Sequence, residues 1–325
     1  MPTISVVIPT YNAESTILET ISSVQQQTFL DFELIVINDG STDRTLELLQ
    51  NIKDERLRIF SYENGGLSTA RNRGIPHASS EFIAFLDADD LWTPDKLELQ
   101  LAALQQHPEA GVAYSWTYFM DEKEGSRSFH PCDPVFFEGN VYAKLLVGDF
   151  IYNGSNTLIR RQAIDAVGEF DPEINPCADW DYWVRLAAQW NFVVVPKHQV
   201  FYRRFSGAMS SKVEMMKEAS LTAIEKAFRV APPELQFLKK HCLTNFNLYS
   251  GNLYLQHSRN MEGVNQAGLH LWRAIRLQPS ILLNRGTQKM IIKFLLMRTI
   301  SPKLTSYILN SITRLRPNSN PLPQG

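Results

Sequence analysis

Three aspartates lie within four residues directly after an apolar run. The run covers residues 82–86, and Asp87, Asp89 and Asp90 follow it. A strand that is covered on both faces reads as a continuous apolar run, and in open α/β sheets the ligand crevice lies at the carboxyl ends of such strands. Carboxylates this close repel each other, so a nearby cation favours their ionised forms. Because Mg²⁺ and Mn²⁺ prefer oxygen ligands, phosphate oxygens included, we predict a divalent metal that binds a diphosphate. The alternative is a solvated acidic loop.

Composition limits the class of protein. The chain has 325 residues, 32 Lys and Arg, 34 Asp and Glu, and a formal net charge of −2. This balance argues against a nucleic acid partner. The three cysteines are widely spaced and odd in number, which is typical of reduced thiols. The first residues lack the pattern of a secretion signal, and no apolar run reaches the roughly 18 residues of a membrane span. We therefore expect a cytoplasmic protein.

Strand and helix patterns alternate through the first 119 residues. Short runs rich in β-branched residues predict strands at residues 4–8 and 33–37, and apolar spacing predicts a helix over residues 13–27. Thr93 and Pro94 resemble an N-cap and a first helical position, so a helix is expected from there to residue 106. The alternation predicts an α/β fold, a mixed sheet with helices on both faces.

Two polar loops follow the first two predicted strands. Neighbouring parallel strands place these loops side by side, with the acidic turn at the same edge. In the first loop the Tyr11 ring can stack on a base, and in the second the Asp39 carboxylate can accept a base N–H. Arg71 or Arg73, after a Gly-Gly turn, can reach a phosphate. Each residue also has a structural interpretation: a rim aromatic, a turn former and a solvated helix face.

These segments together resemble the signatures of the family 2 inverting glycosyltransferases, in the family's order, and the resemblance covers about residues 3–210. It implies a GT-A type nucleotide-sugar-binding sheet. Tyr11 would stack on the nucleobase, Asp39 would bond to it, and Asp87 would contact the ribose or sugar. Asp89 would ligate Mn²⁺ or Mg²⁺ on the diphosphate. The residues that the resemblance assigns to the donor are Pro9, Thr10, Tyr11, Glu14, Asp39, Arg71, Asp87 and Ala88.

A second acidic segment lies at the start of a predicted amphipathic helix near residue 180. An ionised carboxylate is favoured there by the helix dipole, and inverting transfer needs one base for the acceptor hydroxyl. The resemblance implies that Asp179 is this base, although the family often has an acid where this chain has Ala178. Asp181 is an alternative, and Trp180 either stacks on an acceptor sugar or belongs to the core.

The remaining segments give weaker expectations. Residues 120–137 are polar and predict a mobile loop, and Gly154 is expected to let the backbone approach a sugar. The family commonly has a histidine at the position of Phe205, so Arg203 or Arg204 is considered for the phosphates instead.

The chain divides at about residue 211. We predict a catalytic domain over residues 1–211, a helical region over residues 212–315 and a disordered tail over residues 316–325. Basic and apolar residues alternate over residues 288–312, which predicts peripheral contact with an anionic membrane or packing against other helices.

The combined interpretation is a metal-dependent transferase. It moves one sugar from a nucleotide-sugar, with UDP-sugars favoured, to a sugar or lipid-linked acceptor. Cell-surface polysaccharide or glycolipid assembly, at the inner face of the membrane, is what the resemblance implies. The alternatives are an inactive nucleotide-sugar-binding or scaffold protein and, ranked last, a nucleotidyltransferase.

Overall fold

The structure is a computed structural model that describes residues 1–123, 126–204, 212–257 and 260–301. The chain forms two compact units, residues 1–238 and residues 239–325. The predicted catalytic boundary at residue 211 stays a prediction. Phe205 and the tail at residues 316–325 lie outside the described residues.

Nine strands among the described residues form one mixed sheet in the order β3-β2-β1-β4-β8-β6-β9-β5, with β7 paired to β6. The first four strands in this order run parallel, and β8 joins them to β6 by antiparallel pairing on both sides. The strands are β1 Ile4–Thr10, β2 Phe32–Asp39, β3 Leu57–Tyr62, β4 Phe82–Phe85, β5 Leu91–Trp92, β6 Ala110–Lys123, β7 Ser126–Pro131, β8 Leu158–Arg160 and β9 Asn191–Arg204.

Helices cover both faces of this sheet, as the alternation of elements predicts. Alternate β1 residues such as Val6 join a core that includes Ile21 of α1 and Leu101 of α4. The opposite face receives α3, where a Cβ on Gly74 would lie 2.3 Å from a Val7 methyl carbon. The helices of this unit are α1 Ile17–Gln25, α2 Thr45–Gln50, α3 Leu67–Gly74, α4 Lys96–Gln106, α5 Tyr142–Val147, α6 Arg161–Val167, α7 Ala178–Ala187 and α8 Val213–Val230.

Several predicted boundaries are wrong. The loop expected over residues 120–137 is largely a hairpin, because β6 continues to Lys123 and pairs with β7. Helix α4 begins at Lys96, since Thr93 lies before the helix and its hydroxyl bonds to Asp95. Strand β8 begins at Leu158, so Gly154 lies before it in an irregular segment over residues 153–157.

The second unit is helical, with α9 Leu238–His257 leading into it, followed by α10 Met261–Leu277 and α11 Arg285–Thr299. Buried His270 of α10 hydrogen bonds to Asn247 of α9 at 2.9 Å. Asn284 caps α11 by accepting the backbone N–H groups of Gly286 and Thr287. Within the described ranges, none of the helices has both the length and the hydropathy needed to cross a membrane.

Candidate active site

The loops after β1 and β2 are joined by hydrogen bonds. The Asn12 side chain accepts the backbone N–H of Thr42 at 2.8 Å, and Ser41 Oγ accepts the N–H of Asn12 at 3.0 Å. Asn12 is held in the left-handed backbone region, with φ 47°. The Tyr11 ring beside it is 52% exposed. The predicted neighbouring loops are therefore one rigid edge that presents an open aromatic face.

Three further residues of the predicted donor site support this edge from within. Pro9 and Thr10 are the last two residues of β1, and both are buried. The Glu14 carboxylate accepts the backbone N–H of Arg44 at 3.0 Å, at the start of α2. In the described structure, Glu14 thus holds the two loops together by capping a helix.

Asp39 is almost fully buried and bonded to three donors. Its carboxylate accepts the backbone N–H groups of Gly65 and Gly66, at distances from 2.8 to 3.1 Å, and bonds to Arg73 Nη1 at 2.7 Å. Gly66 has φ 86°, a conformation that favours glycine. Asp39 therefore holds the Gly-Gly turn at the start of α3 through four hydrogen bonds, two at each carboxylate oxygen.

The acidic turn follows β4 at the same edge. The Ala88 carbonyl accepts the hydroxyls of Thr16 and Thr20, which attaches the turn to α1. Asp87 and Asp89 are partly exposed, whereas Asp90 is fully buried. Burial, with the charge of Asp87, raises the pKa of Asp89 to about 6. The turn thus presents two neighbouring carboxylates that a cation would stabilise.

Sequence reasoning did not predict that two further residues, Ser155 and Arg203, hold this turn in place. Ser155 Oγ donates to Asp90 at 2.6 Å and accepts the backbone N–H of Asp87 at 3.0 Å. Buried Arg203 donates from its Nε to the Asp89 carbonyl at 2.7 Å, and its Nη atoms bond to Glu122 and Glu19. The guanidinium considered for phosphate binding is therefore committed to the turn and to two carboxylates.

Arg71 lies between the acidic turn and α7. It is 1% exposed, and its Nη2 bonds to Asp87 at 2.7 Å. Its Nε has no hydrogen-bond partner among the described residues. A Cβ on Gly154 would lie 2.1 Å from Arg71 Nη2, so the space beside this glycine, expected to admit a sugar, is filled by the guanidinium.

Asp179 lies in the first turn of α7 and is partly exposed. Its carboxylate accepts the N–H of Trp180 at 2.9 Å. Burial raises the pKa of Asp179, and the positive charge of Arg71 partly opposes this rise. The charge of Arg71 therefore acts on both Asp87 and Asp179, which places the acidic turn and the start of α7 in one site.

Asp181 differs from Asp179 in its surroundings. It is buried and bonds to Arg185 at 2.8 Å and to Lys226 of α8 at 3.1 Å. The Trp180 indole donates to the Leu145 carbonyl at 2.9 Å, and its ring packs against a buried apolar cluster. Of the two aspartates, Asp179 is the one without a cationic hydrogen-bond partner among the described residues.

Sequence reasoning also missed Asp149. Its carboxylate accepts the backbone N–H groups of Ile151 and Tyr152, at 2.8 and 3.2 Å. Burial raises the pKa of Asp149 to about 7, and the charge of Asp179 adds to the rise. Two carboxyl groups thus lie close together at the start of α7.

The donor set fits a metal that is bound partly by substrate. In the part of the chain that the structure describes, no group of three His, Cys, Asp or Glu residues could hold a metal ion. Mg²⁺ and Mn²⁺ sites of this kind use one or two carboxylates plus substrate phosphates and water. Asp89 with neighbouring Asp87 meets that requirement.

A comparison with known families identifies the chain. A model of the family described as glycosyltransferase-like family 2 matches residues 5–251, well over half of the chain. The chain belongs to this family. The predicted family is thus confirmed, and the stereochemistry of transfer is taken up below.

Curated relatives match part of the chain. Over 102 residues it is 42% identical to the Escherichia coli UDP-Glc:alpha-D-GlcNAc-diphosphoundecaprenol beta-1,3-glucosyltransferase WfgD, covering 31% of this chain and 40% of WfgD. The chain spans less than two thirds of the length of the curated relatives compared, from 20% to 58%.

Solved structures share the fold over most of the chain. Residues 1–349 of TarS from S. aureus, in complex with UDP-GlcNAc, superpose with a TM-score of 0.62 at 21% identity, covering 94% of this chain and 92% of the other. The mannosyltransferase PcManGT from Pyrobaculum calidifontis, in complex with GDP-Man and Mn²⁺, gives 0.61 at 16% identity, covering 92% and 87%. The likeness confirms the predicted GT-A type fold.

Proposed function

We propose that this protein transfers one sugar from a nucleotide-sugar to a hydroxyl acceptor with inversion. The observation that carries the proposal is Arg71, whose guanidinium bonds to Asp87 and whose charge acts on Asp179. A donor site at the acidic turn and a base at the start of α7 are therefore adjacent. Inverting transfer needs this arrangement, because the acceptor attacks from the face opposite the leaving diphosphate.

The donor occupies the edge formed by the β1, β2 and β4 loops. Tyr11 stacks on the base, and Asp39 bonds to it through a base N–H. Pro9, Thr10, Glu14 and Ala88 shape the edge. Asp87 contacts the ribose or sugar, and the unpaired Arg71 Nε supports a donor-binding role for this residue. UDP-sugars are the favoured donors, since the TarS structure contains UDP-GlcNAc and WfgD is named for UDP-Glc.

Asp89 would hold Mn²⁺ or Mg²⁺ together with the diphosphate, and the PcManGT complex contains Mn²⁺ with its donor. Such a metal supplies charge stabilisation to the departing diphosphate. In the transfer step the acceptor oxygen bonds to the anomeric carbon while the bond to the diphosphate oxygen breaks. The hydroxyl proton passes to Asp179, and the electron pair leaves with the diphosphate. The raised pKa of Asp179 suits a base that must take a proton near neutral pH.

Thermal unfolding tests donor binding. The protein is heated with UDP, GDP or dTDP, each with Mn²⁺ or with a chelator. A ligand at about 100 times its dissociation constant adds about 2.7 kcal/mol of stability. We expect a metal-dependent rise in midpoint with UDP, which Asp89→Asn abolishes and exposed Asp165→Asn on α6 retains. Equal midpoints with and without Mn²⁺ would remove Asp89 as a metal ligand.

Turnover separates the enzyme from its alternative. Asp179→Asn should still show the rise in unfolding midpoint that UDP causes, but it should no longer transfer the sugar to an acceptor. A wild-type protein that binds donor without consuming it would instead be a nucleotide-sugar-binding scaffold, the alternative favoured by Ala178 in place of the family's frequent acid. A fully active Asp179→Asn variant would move the base to another residue.

Charge distribution supports a lipid-linked acceptor at the inner face of the membrane. From residue 239 to the end, the sequence has twelve Lys and Arg and one acidic residue, Glu262. Helix α11 exposes Lys289 and Arg298 together with Ile292 and Leu295. A basic and apolar helix surface binds anionic lipid, and the WfgD name describes a diphosphoundecaprenol acceptor.

Vesicle co-sedimentation tests this contact. The protein should sediment with vesicles of phosphatidylcholine and phosphatidylglycerol, and not with phosphatidylcholine alone. Binding should weaken at 1 M salt, where the Debye length is about 3 Å. Lys289→Glu combined with Arg298→Glu should reduce it. Equal sedimentation with both vesicle types would exclude electrostatic membrane contact.

A further inference from the structure

Tyr152 has an unusual backbone conformation that hydrogen bonds from neighbouring residues hold in place. Its φ is 75°, a region that bulky residues rarely adopt. The Asp149 carboxylate accepts the N–H groups of Ile151 and Tyr152 and so fixes this turn. Strained residues that the surroundings hold in place cluster at ligand-binding sites. The conformation therefore calls for an explanation in terms of where the Tyr152 ring is placed.

The Tyr152 ring is 38% exposed and is supported from one side. The Phe119 ring of β6 meets it edge to face, with centroids 5.5 Å apart and planes at 79°. Phe119 in turn contacts Tyr202 of β9 at 6.2 Å and carries the Arg204 guanidinium 4.8 Å from its centroid. Two hydrogen bonds to Asp121 hold that guanidinium, at 2.7 and 3.0 Å. The exposed ring therefore rests on a fixed aromatic support.

This aromatic surface lies beside the proposed base. The negative charge of Asp179 adds to the rise in the pKa of Asp149, which agrees with the contact between α5 and α7. The bond from the Trp180 indole to the Leu145 carbonyl joins the end of α5 to the start of α7, and Asp149 follows α5 by two residues. A sugar on the Tyr152 ring would thus be next to the carboxylate that must take its hydroxyl proton.

We propose that Tyr152, supported by Phe119, is the stacking platform for a pyranose ring of the acceptor. The apolar C–H face of a hexose fits an exposed aromatic ring, whereas the donor base has its own aromatic residue, Tyr11, at the opposite loop. The proposal rests on the transferase function and adds the class of acceptor: a glycoside whose terminal residue is a hexopyranose. Asp149 acts as a positioning residue for the platform.

Saturation-transfer-difference NMR tests the platform with octyl α- and β-glucosides and octyl N-acetylglucosaminides as probes, each in the presence of UDP and Mn²⁺. In the wild-type protein we expect saturation transfer to the C–H protons of the probe's pyranose ring. Tyr152→Gly should remove it, because the ring is lost while glycine accepts φ 75° and the fold keeps its stability. Tyr152→Phe should retain it. Tyr249→Ala, which removes an exposed tyrosine of α9, is the matched control and should also retain it.

The outcomes are distinct from those of the proposed function. The rise in unfolding midpoint that UDP causes should be equal in all four proteins. If UDP causes no rise in the wild type, that would count against the donor site. Where a probe serves as acceptor, Tyr152→Gly should raise its KM about 2- to 12-fold, the range of one aromatic stacking contact. Ring-proton transfer that survives in Tyr152→Gly, or that no probe gives in the wild type, would overturn the platform.

Discussion

Replacing Gly154 by alanine should disturb the centre of the site through a single methyl group. The new Cβ would lie 2.1 Å from Arg71 Nη2 and 2.8 Å from Arg71 Cζ. Arg71 has little room to retreat, because it is buried, bonded to Asp87 and positioned 5.2 Å from the Phe170 ring centroid. The guanidinium must therefore move away from Asp87 or the irregular segment must shift.

The cost follows from these contacts. Overpacking alone costs about 1–3 kcal/mol, and full loss of a buried ion pair costs about 3–5 kcal/mol. Asp87 is partly exposed, which reduces the second figure. We expect Gly154→Ala to lower the free energy of unfolding by about 2–4 kcal/mol. This corresponds to a fall in Tm of about 5–15 °C for a unit of this size.

A double-mutant cycle isolates the mechanism. Unfolding in urea is measured for Gly154→Ala, Arg71→Ala and the double variant. Removing the guanidinium opens the space that the methyl group needs, so the double variant should be about as stable as Arg71→Ala alone. Gly139→Ala is the control: its Cβ meets nothing within 4 Å, and its φ of 69° should cost about 1–2 kcal/mol.

Two results would refute the reasoning. One is a Gly154→Ala protein that unfolds at the wild-type temperature. The other is a cycle in which the alanine costs as much without Arg71 as with it. The rise in unfolding midpoint on adding UDP should also be smaller in Gly154→Ala, because Asp87 loses the partner that orients it.

Three further predictions concern buried charges. Asp179→Asn should lower the pKa of the Asp149 carboxyl, followed by NMR titration, because the negative charge of Asp179 adds to the rise that burial causes; an Asp149 that titrates at the same pH in both proteins would contradict the coupling of the two groups. Lys96 is fully buried, and burial lowers its pKa well below the usual range. The unfolded chain therefore binds more protons than the folded chain. The free energy of unfolding of the wild type should accordingly rise with pH until the ordinary lysine pKa is reached. Lys96→Met should lose this pH dependence in urea unfolding, and a variant whose stability still rises with pH in the same way would assign the dependence to another group. Asp39→Asn should cost about 3–5 kcal/mol, measured in the same way, because the buried ion pair with Arg73 is broken; wild-type stability would mean that the Gly-Gly turn does not depend on this carboxylate.

The sheet and the meeting of the β1, β2 and β4 loops at one edge were predictable because their signals are local. Strands β1, β2 and β4 are buried on both faces, so each reads as a nearly continuous apolar run. Parallel pairing then brings the loops that follow them to one edge, which is why Tyr11, Asp39 and Asp87 could be grouped from their order alone.

The hairpin of β6 and β7 was missed because its support comes from distant residues. Most residues of β7 are exposed, so the strand lacks an apolar alternation. Arg127 of β7 pairs with Glu19 of α1 and with Glu122 of β6. Long-range ion pairs of this kind leave no periodic pattern in the sequence.

The supports of the site were missed for a similar reason. Ser155 and Arg203 reach the acidic turn from 65 and 113 residues away in sequence. Asp149 precedes Asp179 by 30 residues and lies in an irregular segment. Only the folded chain places these residues together, whereas the carboxylates that they serve carry recognisable motifs.

The contacts of Asp39 and Asp179 predict which of the two aspartates is replaced first in a descendant that has lost its activity. Asp39 is bonded to Gly65, Gly66 and Arg73, so a descendant that had lost activity would still need it to fold. Asp179 accepts only the neighbouring Trp180 N–H among the hydrogen bonds described here, and its burial disfavours its charge. Under relaxed selection Asp179 should therefore drift early and Asp39 late. On the mechanism proposed above, an aspartate at position 179 would mark retained catalysis, whereas an aspartate at position 39 is required by the fold as well as by the donor.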